Sequence, residues 1–150
     1  MEELIKKITE RCNLNSAEET LLRQSVRMLH FPKGSDVIGE GRIDDSMYFI
    51  RKGVWRAHLL RDGEDHTLWF ATPGEVVFSS WGHIRGLPSR FTISSSSDST
   101  AVELKKDTVR RLSQTSQGFT TWLQELFVDI LLSTDDHLTD LSCPKAEKRY

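Results

Sequence analysis

The chain has 150 residues, which is enough for one domain with a sizeable hydrophobic core. Its 37% hydrophobic and 28% charged residues are ordinary for a folded globular protein. A net charge of -2 supplies no overall basic field, so these residues by themselves do not suit a nucleic-acid-binding domain.

The first thirty residues are predicted to be helical. Apolar residues recur at helical spacing from Leu4 to Ile8. Ser16 and Glu19 have the spacing of a capping box, in which each side chain accepts a hydrogen bond from the other residue's free backbone N–H group. Pro32 is expected to end this helical segment, because proline cannot donate the next backbone hydrogen bond.

After Pro32 the hydrophobic period changes to alternation, which is typical of strands. The Asp62-Gly63 pair predicts a tight hairpin. Because the strand-length runs follow one another without intervening helices, they indicate an antiparallel sandwich or barrel rather than a parallel α/β fold. The predicted strands cover residues 37–38, 47–50, 54–60, 67–71, 91–93 and 101–104.

The stretch from Pro73 to Ile93 interrupts the alternation and is predicted to build a ligand pocket. It combines several glycines with hydroxyl and aromatic residues and ends on a Pro-Ser-Arg sequence. Glycines allow backbone N–H groups to approach a ligand, and serine, threonine and arginine side chains can bind an anion. The alternative is an ordinary surface crossover between two strands. The serine run at 94–97 is interpreted as a polar bend or an edge strand.

A long amphipathic helix is predicted near the C-terminus, with Ser116 as its N-terminal cap and Pro144 at its end. Its apolar positions are three and four residues apart and form one wide stripe. Such a stripe packs on its own domain or on a copy of itself, and its width favours a homodimer. Replacing Leu126 or Ile130 by aspartate is then expected to give monomers. The stripe consists of Phe119, Trp122, Leu123, Leu126, Phe127, Ile130, Leu131, Leu138 and Leu141.

The cysteines and the N-terminus predict a cytoplasmic protein. Cys12 and Cys143 lie near opposite ends of the chain, and this low count fits a reducing compartment. The charged N-terminus does not resemble a secretory signal, and no apolar run reaches the roughly 18 residues that a membrane span requires. No contact with a membrane is expected.

Several of these motifs together resemble the cyclic nucleotide-binding domain family, and in particular the sensor half of transcription regulators of the catabolite-activator and fumarate–nitrate-regulator type. The resemblance runs from about Leu21 to the C-terminus and is fairly specific. Its best-matched motifs are Phe31-Pro32-Lys33-Gly34, Gly39-Glu40-Gly41, the run from Asp44 to Gly53, Asp62-Gly63 and Pro73-Gly74-Glu75.

The resemblance implies a fold that is mainly β with flanking helices, an antiparallel β-roll of the jelly-roll type. In the family, a small-molecule effector enters the roll and shifts a long C-terminal helix that forms the homodimer. This movement reorients a helix-turn-helix domain further along the chain, so DNA contact is expected only through such a domain outside these residues. The implied organisation is an N-terminal helical segment at 1–30, a cyclic-nucleotide-binding-like β-roll at 31–112, a dimerisation helix at 113–143 and the start of a linker at 144–150.

The chain departs from the family's phosphate-binding pattern. That pattern has a Gly-Glu pair, which binds the ribose, and a later arginine, which binds the cyclic phosphate. Here the pair falls on Phe78-Ser79 and the arginine on Ser89, while Arg90 is one step along the strand and would face the opposite way. Without the charged bidentate contact, cyclic AMP is not expected to bind in the usual way, which leaves a different small effector or none. The candidate ligand-binding residues are Glu75, Val77, Phe78, Ser79, Ser80, Ser89, Arg90 and Thr92, with Ser133 and Thr134 where the family's C-terminal helix contacts the purine.

A metal enzyme of the cupin type is a rival interpretation. It would require clustered histidine and carboxylate ligands, typically a His-x-His pair on one strand, and the five histidines show no such spacing. Pairing through the predicted hairpin places His58 opposite Thr67 and His66 opposite Leu59, so the two histidines face different ways. No metal site is predicted.

A hydrolase and an interaction module are two further candidate functions. Ser79 or Ser80 near His83 lacks both a Gly-x-Ser-x-Gly turn and an orienting acid, so no enzymatic activity is predicted. A dimeric module that binds a partner without an effector is favoured if Phe78 and Trp81 fill the predicted pocket.

Overall fold

The computed structural model describes residues 1–147, which form two antiparallel sheets and five helices. None of the helices in this range combines the length and apolar character that crossing a membrane requires. The helices are α1 (Glu2–Cys12), α2 (Ser16–Ser25), α3 (Ser80–Arg85), α4 (Lys106–Thr115) and α5 (Gln117–Glu147). The strands are β1 (Val26–Phe31), β2 (Asp36–Ile38), β3 (Met47–Lys52), β4 (Trp55–Arg61), β5 (Glu64–Ala71), β6 (Val76–Val77), β7 (Thr92–Ser95) and β8 (Ser99–Leu104).

The strands form the sheets β1-β8-β3-β6 and β2-β7-β4-β5, with antiparallel pairing throughout. The predicted antiparallel β-roll with flanking helices is therefore confirmed. The predicted hairpin is also present, since Asp62 and Gly63 join β4 to β5 with φ angles of 54° and 77°. Both angles are left-handed, as a type I′ turn requires.

The interior of the roll is filled by its own aromatic side chains. The rings of Phe31, Tyr48 and Trp55 meet edge to face, with centroids 5.4, 5.8 and 6.4 Å apart. Trp55 is fully buried, and its indole N–H donates to the Ser99 hydroxyl at 2.8 Å. A second core layer, which includes Leu22, Phe49, Leu104, Leu112 and Phe119, lies between the first sheet and the helices.

The N-terminal segment is helical only as far as Ser25, so the prediction of helix through residue 30 is wrong. Residues 26–31 form β1, which pairs along β8 from Val26 opposite Leu104 to Phe31 opposite Ser99. The apolar residues of this strand also fit helical spacing, but the ladder with β8 outweighs that local preference. Pro32 therefore follows a strand rather than a helix.

The two predicted helix caps have different outcomes. α2 is capped by Asn15 and not by Ser16: the Asn15 side chain accepts from the Glu18 N–H at 2.8 Å, and the Glu18 carboxylate accepts from the Asn15 N–H at 2.9 Å. This is a capping box one residue earlier than predicted. At α5 the predicted cap is confirmed, since the Ser116 hydroxyl accepts from the Phe119 N–H at 3.0 Å.

α5 continues through Pro144 to Glu147, so the helix does not end at the proline as predicted. The missing N–H of a proline costs a helix one hydrogen bond and does not by itself require the helix to end. The linker at 144–150 stays a prediction, and its residues 148–150 lie outside the described part of the chain.

The apolar residues of α5 divide between two surroundings, although a single stripe was predicted. The N-terminal half of the helix lies on the second core layer, whereas the C-terminal half is exposed. The packed residues are Phe119, Trp122, Leu123, Leu126, Phe127 and Ile130. The exposed ones are Val128, Leu131, Leu132, Leu138 and Leu141.

Replacing Gly118 by alanine is expected to destabilise the domain. A Cβ atom at this position would lie 1.9 Å from the Cys12 carbonyl oxygen, where α5 packs on the end of α1. The backbones would have to separate, at a cost of about 1–3 kcal/mol in the free energy of unfolding measured by chemical denaturation. Gly39→Ala is the control, because a Cβ there meets only the Arg42 side chain, at 3.4 Å. Equal unfolding midpoints for the two variants would contradict this prediction.

Candidate functional site

The stretch from Pro73 to Ile93 contains β6, the short helix α3 and the loop to β7. β6 pairs with β3, where Val77 is opposite Tyr48. Val77 is buried in the interior of the roll. The helix was not predicted, because six residues with one glycine inside and another at the C-terminal cap give little periodic signal.

Ser79 uses its side chain to begin α3. Its hydroxyl oxygen accepts from the Gly82 N–H at 3.1 Å, and the residue is buried. Gly82 allows α3 to pack directly on the loop between β2 and β3, since a Cβ there would lie 2.0 Å from the Asp44 carbonyl oxygen. The predicted ligand residue Ser79 is therefore engaged in a helix cap.

Ser89 holds the loop after α3 against the loop between β2 and β3. Its backbone N–H donates to the Arg42 carbonyl at 2.8 Å, and its carbonyl accepts from the Gly41 N–H at 2.9 Å. Its hydroxyl donates to the Phe91 carbonyl at 2.6 Å, and only 4% of the residue is exposed. The position that the family's pattern assigns to the phosphate arginine is thus a buried serine whose hydroxyl donates its hydrogen to the protein itself.

Ser80 and Arg90 are the predicted ligand residues whose polar groups are available. Both are exposed, and within the described residues neither makes a side-chain hydrogen bond or ion pair. The Arg90 guanidinium lies 4.3 Å from the centre of the Trp81 ring, which is a cation–π contact. This contact with Trp81 leaves the N–H groups of Arg90 free to bind an anionic or carbonyl oxygen.

The other predicted polar residues bond within the protein or lie on the exposed half of α5. The Glu75 carboxylate accepts from the N–H and the hydroxyl of Thr72 at 3.2 and 3.3 Å. The Thr92 hydroxyl oxygen accepts a backbone N–H of the β2–β3 loop at 3.0 Å. Ser133 and Thr134 are exposed, and the Thr134 hydroxyl donates at 2.8 Å to a carbonyl of its own helix.

Phe78 and His83 connect the stretch to α5. Phe78 lies on the opposite side of β6 from the roll interior, and its ring centre is 5.7 Å from that of Phe127. His83 lies 5.3 Å from Phe78 and 6.3 Å from Phe127, between ring centres. Sequence spacing identified Phe78 and Phe127 only as separate apolar positions, because no local pattern encodes a contact between such distant segments.

The imidazole of His83 is held in its neutral form. The residue is buried, and its Nδ1 lies 2.7 Å from the Asp45 carbonyl oxygen, to which it donates. Burial is the main cause that lowers the His83 pKa below its usual value; the nearby Lys106 ammonium also lowers it, and the Asp45 carbonyl and carboxylate oppose the shift.

His83 is expected to make the domain less stable as the pH falls below about 6.5. The unfolded chain takes up the proton first, so the contribution of His83 is fully present above that pH and is lost as the pH falls through the lower folded-state pKa. His83→Asn keeps a donor for Asp45 and should flatten the free energy of unfolding against pH, by at most about 1.4 kcal/mol per pH unit. The exposed His66→Asn is the control. An unaltered slope in the His83 variant would contradict this assignment.

The predicted pocket is not filled by Phe78 and Trp81. Phe78 packs towards α5, and Trp81 is 41% exposed. The aromatic pair Trp69 and Phe91, with ring centres 6.0 Å apart, packs against the roll interior instead. Surface pockets of about 330 and 340 Å³ are formed elsewhere, one by residues 36–44 and the other by residues of α2, β1 and the start of α4.

Ser79 and His83, which suggested a hydrolase, do not form a catalytic pair. Ser79 bonds to a backbone N–H of α3 and His83 to a backbone carbonyl, so the two do not act on each other. The hairpin register is as predicted, with His58 opposite Thr67. Among residues 1–141, whose side chains the structure describes, there is no group of three histidine, cysteine or acidic side chains placed to hold a metal ion.

A serine–histidine–aspartate array lies on the outer face of the second sheet. His58 Nε2 is 3.0 Å from the Ser94 hydroxyl, and His58 Nδ1 is 3.3 Å from the Asp65 carboxylate. Arg56 also binds this carboxylate at 2.8 Å, and its hydrogen bond is the main cause that lowers the Asp65 pKa. Since the three side chains and Arg56 bond to one another, we interpret the array as a polar network across three strands.

Comparison with known proteins matches this architecture. The cyclic nucleotide-binding domain family model covers residues 28–116, more than half of the chain. A solved cyclic nucleotide-binding domain from Methylobacillus flagellatus superposes with a TM-score of 0.76 at 16% identity, over 95% of this chain and 84% of that chain. No curated protein matches the sequence significantly.

Two regulators of known structure are also similar. A putative transcriptional regulator of the crp/fnr family from Eubacterium rectale has a TM-score of 0.74 at 17% identity, over 87% of this chain and 61% of that chain. The catabolite activator protein of Thermus thermophilus has a TM-score of 0.66 at 20% identity, over 90% of this chain and 62% of that chain. The chain thus spans about three fifths of each regulator, and at these identities the likeness shows the fold alone.

Proposed function

This chain belongs to the cyclic nucleotide-binding domain family, and we propose that it is the effector-sensing and dimerising domain of a cytoplasmic transcription regulator of the catabolite-activator type. Its effector would be a small anionic or polar molecule other than cyclic AMP. DNA contacts would belong to a helix-turn-helix domain outside these residues, and the domain itself would act as a homodimer without catalytic activity.

The contact between α3 and α5 carries this proposal. Phe78 and His83 both pack against Phe127, so a ligand that displaces α3 must also alter the packing of α5. The close approach of Gly82 to the Asp44 backbone leaves α3 little freedom to move alone. Binding energy at the stretch would therefore be transmitted to the helix through which two copies would associate.

Ser80 and Arg90 are the residues we propose to bind the effector directly. Among the predicted ligand residues of the stretch, these two carry the available donors, and a guanidinium suits an oxyanion or a carbonyl group. Ser79, Ser89, Thr92 and the others of the predicted set would shape and hold the site. Ser133 and Thr134 would add hydroxyl groups from α5 once two helices pair.

A thermal-unfolding screen of cyclic nucleotides and small anionic metabolites tests the proposal. An effector should raise the Tm of the wild-type chain, and Arg90→Gln should abolish that rise, because the charged guanidinium and its bidentate geometry are lost. Arg85→Gln removes an exposed cation from the same segment and should leave the rise intact. The effector should also slow amide hydrogen exchange in residues 128–141. Stabilisation without any change in α5 would contradict the proposed coupling.

A dimeric interaction module without an effector is the second candidate. The filled interior of the roll, with Phe31, Tyr48 and Trp55 in mutual contact, favours it. The same screen separates the two functions, since a module of this kind shows no specific rise in Tm across the panel.

A further inference from the structure

A pocket of about 340 Å³ lies where α2 meets β1 and β8 meets α4, and Arg27, Lys105, Asp107, Thr108 and Arg111 are among its lining residues. We propose that this pocket binds a small oxyanion of the phosphate type, either free or as the phosphomonoester of a metabolite. The site is separate from the stretch between α3 and β7 and goes beyond the sensing function proposed above.

The charges around the pocket favour an anion. Lys105 and Arg111 form no ion pair within the described residues. The carboxylate that also lines the pocket, Asp107, pairs with Arg110 outside it. Arg27 holds the buried Glu103 at 2.7 Å and keeps 62% of its side chain exposed. The pocket is therefore lined by two cationic side chains without an ion-pair partner among the described residues and by Arg27, which is paired with Glu103. The one carboxylate in its lining is paired with Arg110.

The backbone at the start of α4 adds donors to the same space. α4 has ten residues, and its N-cap residue, Lys105, provides no side-chain hydrogen bond. No turn of helix precedes Lys106, Asp107 and Thr108, so their N–H groups lack the carbonyl acceptors found in the middle of a helix. The positive end of the helix dipole lies at these residues. An oxyanion at this position would supply the missing acceptors.

Thr108 provides independent support for a ligand. The residue is only 5% exposed, it lines the pocket, and its hydroxyl makes no hydrogen bond within the described part of the chain. The Thr108 hydroxyl is not among the fully enclosed unpaired groups of the described residues, which distinguishes it from the Thr9 hydroxyl and leaves it accessible to a ligand. A phosphate group has enough oxygens to accept from this hydroxyl, the backbone N–H groups and both free cations at once.

The test is a titration of the full chain with inorganic phosphate and with glycerol 3-phosphate, at constant ionic strength set by chloride, followed by amide chemical shifts. Shifts should saturate in residues 105–111 and not in the stretch from Pro73 to Ile93, which separates this site from the proposed effector site. Saturation with both ligands supports a free-anion site, and saturation with the ester alone supports a metabolite site.

Variants define the contacts. Thr108→Val should weaken binding about tenfold, and Thr108→Ser, which keeps the hydroxyl, should restore it. Lys105→Gln should weaken binding by a similar factor, whereas Lys106→Gln removes an adjacent cation that does not line the pocket and should have little effect. If the two lysine variants lose the same amount of affinity, binding depends on the overall positive charge and not on a defined site, and the proposal is overturned. Shifts that chloride alone reproduces, or no shifts in residues 105–111, would also overturn it.

Discussion

Replacing Leu131 by aspartate is expected to convert a dimer of this protein into monomers without unfolding the domain. Leu131 is 61% exposed on α5, with Leu132 beside it at 56% and Leu141 further along at 49%. If two α5 helices pair, a carboxylate at this position is buried among apolar side chains. It loses its hydration without gaining a polar partner, which costs the dimer several kcal/mol. In the monomer the same carboxylate stays in water, so the fold should be unaffected.

The spacing along α5 is the reason to expect a second copy of the same helix. Leu131, Thr134, Leu138 and Leu141 are separated by steps of three, four and three, which is the repeat of a two-stranded coiled coil. α5 has 31 residues, and its second half extends past the core layer on which its first half lies. A helical segment with an apolar side gains little stability by itself and more by pairing.

Light scattering measures the outcome directly. The wild-type chain should have twice the monomer mass of 17.2 kDa, and Leu131→Asp should have the monomer mass. Thr139→Asp adds the same charge to α5 away from the repeat and should remain dimeric. Leu126→Asp and Ile130→Asp, which the sequence alone suggested for this test, are expected instead to destabilise the domain, because both residues pack on its core. A wild-type mass of one chain would contradict the dimer.

The strands of this fold could be predicted because their signals are local. Alternation marked β3, β4 and β8, and Asp62-Gly63 marked the hairpin by its conformational preference. β1 was missed because Val26 and Leu29 are three residues apart, as on a helix, and its pairing partner lies far along the chain. The two surroundings of α5 could not be predicted either, since spacing shows which residues are apolar but not what covers them.

The candidate site was less predictable than the fold. The sequence predicted a site in the stretch from Pro73 to Ile93 and departures from the family's pattern at Ser79 and Ser89. It could not show that both hydroxyls bond within the protein, because a serine forms a cap, bridges a turn or binds a ligand with the same side chain. The contact of His83 with Phe127 depends on how α3 and α5 pack, which no spacing within either segment encodes.

Cyclic AMP is expected to show no binding to this chain up to about millimolar concentration. The Ser89 hydroxyl donates to the Phe91 carbonyl, and both backbone groups of Ser89 bond to the β2–β3 loop, so this position offers no donor for a phosphate. Ser79, which stands where the family has a carboxylate, accepts a hydrogen bond from its own helix. Two charge-assisted hydrogen bonds contribute about 3–6 kcal/mol, so losing them weakens binding by about two to four orders of magnitude.

Calorimetry with cyclic AMP, cyclic GMP and AMP measures this directly, with circular dichroism to establish that the chain is folded. The three nucleotides should give the same absence of saturable heat, because the site recognises neither the cyclic phosphate nor the ribose. Arg90 is the nearest cation in sequence that is free to replace the absent arginine, although its place over Trp81 directs it along the surface. Micromolar binding by the wild type that disappears in Arg90→Gln would assign the phosphate contact to Arg90 and overturn the assignment of that position to Ser89.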